Sequence, residues 1–187
     1  CTGPHFTPAR TKLLLQTPDK TGREPLHIAA YKCTEEILTI AAMLDVNNSI
    51  FYRPKDKAIH ADNARKAFAR GGVGDHFALL NVYTQWKETN YSGMWCKEHF
   101  LQIKSLKRAR DIREQLEGLC ERVEIDIQSA PHDVDAICKS ITAGDFYHTA
   151  KLQKNGSYAT IKNSHTVSIH PTSSLFDEET PPRWVLY

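Results

Sequence analysis

Residues 104–113, KSLKRARDIR, place five Lys or Arg in ten positions, and a carboxylate-rich half follows as far as Ile125. Cations at that density either follow the charges of an anionic polymer or form the solvated face of a helix. Spacing separates most of the run from the first reading. At about 100° per residue, Leu106, Ala109, Ile112, Leu116, Leu119 and Val123 fall along one side, which predicts an amphipathic core helix. Lys107, Arg110 and Arg113 each find a carboxylate one turn on, at Asp111, Glu114 and Glu117. Lys104 and Arg108 differ, being a like-charged pair with only Asp111 close enough to Arg108 to share. The candidate polyanion contacts of this helix are therefore Lys104 and Arg108, with Ser105 between them.

A second set lies near the C-terminal end. His148, Lys151, Lys154, Tyr158, Lys162, His165 and His170 intersperse rings with cations along short β-rich runs. Small barrels bind single-stranded nucleic acid with that combination, rings stacking on bases and cations following phosphates. Half of each strand must face a core, so the pattern alone does not select this over ordinary packing. The stretch IHPTSSLF (169–176) adds hydroxyl residues that read as a turn or as hydrogen-bonding groups for a sugar–phosphate backbone.

Other chemistry finds little support. No G-x-x-x-x-G-K-[ST] phosphate loop occurs, and Gly71-Gly72-Val73-Gly74 falls between two helical patterns. Cys96 and His99 form a C-x-x-H pair without the second pair that structural zinc needs, so no metal site is expected. Cys33, Cys120 and Cys138 read as buried thiols. His60, His76 and His148 lie in no nucleophile motif and read as structural, leaving no catalytic candidate.

The elements that position these residues follow from periodicity. Residues 1–30 carry four prolines and read as loop or disordered. Thr34 opens a helix with Ile37, Leu38, Ile40, Ala41 and Leu44 as its apolar face, ended by Asn47-Asn48-Ser49. Residues 60–70 and 75–88 read as two further helices, the second with Asp75 as N-cap. Another begins near Ser92 and runs through Trp95 and Phe100 into the basic segment. Asp133 caps a last helix that ends at Gly144. Beyond it the period falls to two, with a hairpin at Asn155-Gly156 and further strands in HTVSIH and RWVLY. The fold class is α+β, with a helical bundle over 31–144 and a small antiparallel β unit over 145–187 that is part of a five-stranded barrel.

Composition sets the outer limits. Apolar residues make up 41%, charged residues 25%, and the net charge is +2, so any polyanion surface must be local. No apolar run reaches the roughly 18–20 residues that span a bilayer, and no membrane association is expected. Five scattered cysteines suit a reducing compartment better than a disulfide framework. The start at Cys1 and the unfilled barrel edge point to a fragment.

Three runs carry a resemblance beyond these physical readings: EEILTIAAMLDVNNSIFYRPKDKAIHADNARKAF, then GDHFALLNVYTQWKETNYSGMWCKEHFLQIKSLKRARDIREQLEGLCERVEI, then YHTAKLQKNGSYATIK with VSIHPTSSLF and RWVLY. From about Tyr31 to Tyr187 the chain resembles the C-terminal helicase-associated region of DEAH-box RNA helicases of pre-mRNA splicing. The resemblance implies the end of a winged helix plus a ratchet bundle in 31–144 and a partial OB-fold barrel in 145–187. It also implies RNA contacts at His170, Thr172 and Ser173 and an RNA path lined by the ratchet and the OB-fold, which Lys104 and Arg108, singled out by their charge spacing with Ser105 between them, would flank. Partners implied are pre-mRNA, the helicase motor domains, and spliceosomal proteins or a glycine-patch activator, in the nucleus. ATP and Mg²⁺ belong to the motor domains of that family, so this chain is expected to carry no cofactor and to be inactive alone. The alternative is a protein-docking module without RNA affinity of its own.

Overall fold

The computed structural model describes residues 32–46, 50–69, 74–176 and 178–187. Readings placed on residues 1–30, on Asn47-Asn48-Ser49, on Gly71-Gly72-Val73 and on Asp177 lie outside them. Among the described residues six α-helices precede the strands: α1 (Thr34–Asp45), α2 (Ala58–Phe68), α3 (Asp75–Glu88), α4 (Gly93–Glu98), α5 (Ile103–Arg122) and α6 (Val134–Asp145). Strands β1 (Thr149–Leu152), β2 (Tyr158–Thr160), β3 (Thr166–Val167) and β4 (Trp184–Leu186) form one antiparallel sheet in the order β3-β2-β1-β4. This is a helical part followed by an open four-stranded sheet, an α+β arrangement consistent with a partial OB-fold.

Helix α1 packs chiefly against α5 and α3, so it is covered on more than one side. That enclosure corrects its expected apolar face. Leu44 and Ala41 are exposed, whereas Glu36, Thr39, Ile40 and Met43 are buried. The buried polar groups are satisfied, as burial demands. Glu36 accepts from the Ser129 hydroxyl at 2.6 Å and the Ala130 amide at 3.3 Å, and Thr39 accepts from Arg113 Nε at 2.9 Å.

The expected continuous helix through Trp95 and Phe100 is broken. Ser92 caps α4, its hydroxyl accepting from the Trp95 amide at 3.3 Å, and the chain then turns at Phe100, which has φ 57°. The turn lets 100–102 run antiparallel to 50–52. Tyr52 N–H donates to Phe100 O at 3.0 Å, and Gln102 N–H donates to Ile50 O at 2.8 Å. A main core gathers there from Met43, Phe68, Val82, Trp86, Cys96, Leu101 and Leu106.

Asp133 caps α6 as its position predicts, accepting from the Ala136 amide at 3.0 Å. The hairpin at Asn155-Gly156 uses three loop residues instead of two. Gly156 N–H donates to Gln153 O, Gly156 takes φ 82°, and Gln153 N–H closes onto Ser157 O at 2.8 Å. The loop thus places Gly156 at a left-handed position, for which glycine is suited. Ala150, Leu152, Tyr158, Val167 and Val185 point to one side of the sheet, where Leu175 covers them. Leu186 leaves from the other side and enters a bundle core of Cys33, Ile40, Leu80, Ile137 and Ile141. The sheet is thus seated on the helices through its last strand.

Candidate nucleic-acid interface

The six candidate residues separate by burial. Lys104 and Arg108 are exposed on α5, one helical turn apart, and among the described residues neither has an ion-pair partner. Ser105 is only 4% exposed and faces the bundle. Burial removes it from the set a ligand can reach. The remaining charges of α5 are internally matched. Arg110 engages Asp111 at 3.2 Å and Glu114 at 3.7 Å. Arg113, expected as a surface cation, is buried, pairing with Glu117 at 2.7 Å and reaching Glu35 at 3.3 Å.

Residues 170–176 form a turn. Pro171 follows His170, whose carbonyl accepts from the Ser173 amide at 2.9 Å, a placement that suits the fixed φ of proline. His170 Nδ1 accepts from the Thr172 amide at 3.2 Å and lies 2.8 Å from the Thr172 hydroxyl. The imidazole is held by this pair, and Thr172 remains exposed. Ser173 is 7% exposed and is committed elsewhere: its hydroxyl donates to Asp75 Oδ2 at 2.8 Å. Here too burial corrects the candidate set, because the Ser173 side chain ties the turn to α3.

Asp75 itself is not the N-cap that the sequence predicts. Gly74, with φ 105°, occupies that position, and Asp75 stands in the first turn of α3 with both carboxylate oxygens directed to the 173–174 backbone and hydroxyl. The amide-rich helix start is therefore matched by a resident carboxylate. A phosphate at this helix start would meet the Asp75 carboxylate.

The sheet offers a surface that the sequence reading assembled only in part. A groove of about 700 Å³ runs along its outer side, lined by Lys151, Lys154, Asn155, Ser157, Ser164 and Thr166, with Ala159 among its neighbours. Register explains it. Lys151 pairs with Ala159 on one flank and Trp184 on the other, and Ala159 pairs with Thr166, so these four side chains form one row. Lys151 Nζ lies 5.1 Å from the centre of the Trp184 ring. A small residue in the middle of the row leaves room for a planar or sugar group beside a cation. Tyr158 is not part of this surface, being 2% exposed with its hydroxyl donating to Pro182 O at 2.7 Å. Trp184 is missing from the sequence-level set because its partner strand lies more than thirty residues earlier, and only the pairing register joins them.

The C-x-x-H pair is likewise accounted for locally. His99 stacks on Trp95 with centroids 4.3 Å apart and its Nδ1 lies 2.8 Å from Trp95 O, while Cys96 is buried and burial pushes its thiol upward. Among the described residues no three His, Cys, Asp or Glu side chains are grouped to hold a metal ion, and no helix is long and apolar enough to cross a membrane.

Comparison with known families places both halves of this arrangement. Residues 26–79 match the family described as helicase associated domain (HA2), ratchet-like, which takes in α1, α2 and the start of α3. Residues 137–187 match the family described as oligonucleotide/oligosaccharide-binding (OB)-fold, from α6 to the last strand. The chain is thus a helicase-associated accessory region with an OB-fold component.

Proposed function

We propose that this chain is the C-terminal accessory region of a DEAH-box RNA helicase of pre-mRNA splicing, binding RNA in the nucleus beside the ATPase motor. The supporting observation is the joint presence, in one chain, of a ratchet-like helical segment over 26–79, a helix α5 with exposed Lys104 and Arg108, and an OB-type sheet with an open, lysine-edged groove. In this reading Lys104 and Arg108 neutralise phosphates, Thr172 and the His170 turn line the same path, and the groove takes a nucleotide. In this reading ATP and Mg²⁺ act in the motor domains and not in this region. Spliceosomal proteins or a glycine-patch activator are further partners in this reading. RNA titrations at two ionic strengths test it. Phosphate contacts make affinity fall steeply with salt. Salt-sensitive binding that weakens in a Lys104→Ala/Arg108→Ala variant is the expected result. Absence of salt-sensitive binding at micromolar protein would overturn RNA affinity for the isolated chain.

A second reading, docking without RNA affinity, draws on the seam between α6 and β1. There Phe146 and Tyr147 are 52% and 60% exposed, with ring centroids 3.8 Å apart. The same titrations separate it from the first.

A further inference from the structure

The second half of α5 differs from the first in charge and in cover. Leu106 and Ala109 are fully buried, and Ile112 and Leu116 are half-buried, but the stripe continues into solvent. Leu119 is 49% exposed and Val123 64%, and Ile127 just beyond the helix is 37% exposed. Leu116, Leu119, Cys120 and Val123 keep the i, i+3, i+4, i+7 spacing of a face that covers an apolar partner. A Cβ added at Gly118 would meet nothing within 4 Å, so among the described residues no side chain or backbone packs against that position.

Charge around the stripe is one-sided. Residues 114–135 hold seven carboxylates and one guanidinium. That guanidinium, Arg122, turns back to donate from Nε to the Gly118 carbonyl at 3.1 Å. Glu121, Glu124, Asp126 and Asp135 are exposed, and among the described residues none has an ion-pair partner. Such a rim repels a polyanion and attracts a polycation within about 10 Å at ordinary ionic strength. Leaving long apolar side chains uncovered inside it suits a partner that is apolar on one face and basic on its flanks.

We infer that the Leu119–Val123 ridge of α5, with its acidic rim, docks a Lys/Arg-rich amphipathic helical segment of a partner protein. Helix-on-helix packing supplies the apolar contact through residues spaced three and four apart, and the carboxylates set orientation and exclude acidic competitors. This surface lies at the opposite end of α5 from Lys104 and Arg108, so it does not depend on RNA binding.

The test uses the full chain and a fluorescent leucine–lysine amphipathic peptide of about 15 residues, with a scrambled peptide of the same composition. We expect saturable, salt-sensitive binding of the amphipathic peptide, weakened by about tenfold or more in Leu119→Asp/Val123→Asp and, separately, in Glu121→Lys/Glu124→Lys. All four positions are exposed, so both variants should retain the parental thermal transition. Lys104→Ala/Arg108→Ala should leave peptide binding unchanged, which keeps this inference separable from the RNA reading. Equal binding of the scrambled peptide, or no loss in Leu119→Asp/Val123→Asp, overturns it. So does a dimer in sedimentation velocity that disappears in that variant, because the ridge then belongs to a second copy of the chain.

Discussion

The Ser173 hydroxyl donates to Asp75 Oδ2 at 2.8 Å, and the Ser174 amide donates to Asp75 Oδ1 at the same distance. One carboxylate in the first turn of α3 therefore holds a loop that lies about a hundred residues further along the chain. Hydrogen bonds to a charged group are worth more than neutral ones, about 1.5–3 kcal/mol each before the rest of the site adjusts. Asp75 also favours the start of its own helix. We expect Asp75→Ala to lower stability by roughly 2 kcal/mol in urea unfolding and to speed exchange of the Ser174 amide. Ser173→Ala, which removes only the hydroxyl bond, should cost about half as much. Equal stability of Asp75→Ala and the parent would show that the pair does not join the sheet to the helices.

Arg113 carries a comparable load inside the bundle. It is 7% exposed, donates from Nε to Thr39, and faces Glu35 and Glu117. Its guanidinium lies 5.8 Å from the centre of the Tyr83 ring. Removing one partner of a buried ion pair leaves the other charge uncompensated, at a cost of about 3–5 kcal/mol. Arg113→Met should therefore cause a loss near that range, measured by the midpoint of chemical unfolding. Arg110→Met on the more open side of the same helix should cost less than about 1 kcal/mol. Similar losses for the two would refute the distinction between them.

These two sites show where sequence reading stops. The periodicity of α3, the cap at Asp133, the glycine of the hairpin turn and the two-residue period after Gly144 are local properties, and they are visible in short windows of sequence. The apolar face of α1 is not local. Ile37 and Leu44 have the right spacing, yet α3 and α5 close over the side holding Thr39 and Met43, and Arg113 makes Thr39 worth burying. The Lys-Arg run of α5 looks uniform in sequence, and only tertiary burial distinguishes the enclosed Arg113 from the open Arg108. At the candidate site, Lys104 and Arg108 were recognisable because carboxylate spacing left them unmatched. Ser105 and Ser173 were not recognisable as enclosed, because a serine carries no hydropathy signal strong enough to reveal its side.

Tyr83 gives a prediction in pH. Its phenol is pushed up to about 12, first by burial and then by the neighbouring Tyr91, while Arg113 pulls the other way. In the unfolded chain the same group ionises near pH 10. The folded state thus keeps the proton over a range where the unfolded state releases it. The contribution is fully present below about pH 10 and is lost as pH rises from about 10 towards about 12. Tyr83→Phe keeps the ring against Trp86, whose centroid is 6.0 Å away, and removes the ionisable group. Its stability should fall less steeply than that of the parent over this alkaline interval, as followed by unfolding midpoints at stepped pH. Parallel profiles would show that Tyr83 does not titrate in this way.

The row across the sheet gives the last. Trp184, Lys151, Ala159 and Thr166 lie side by side by register, with the Lys151 ammonium 5.1 Å from the Trp184 ring centre. If a nucleotide in this groove reaches past Lys151 to the Trp184 ring beside it, the ring and the cation should contribute in different ways. Stacking on an aromatic is largely insensitive to salt and worth about 1–3 kcal/mol per base, whereas a lysine at a phosphate changes the salt slope by about one. Trp184→Ala should therefore weaken RNA binding by a similar factor at low and high salt. Lys151→Ala should weaken it mainly at low salt and flatten the salt dependence. Ala159→Leu, placed between Lys151 and Thr166, should block the groove and reduce affinity without altering the slope per remaining lysine. Fluorescence anisotropy with a short single-stranded RNA at several salt concentrations reads all three. If Ala159→Leu binds as the parent does while Lys104→Ala/Arg108→Ala binds weakly, the RNA path follows α5 and bypasses the sheet.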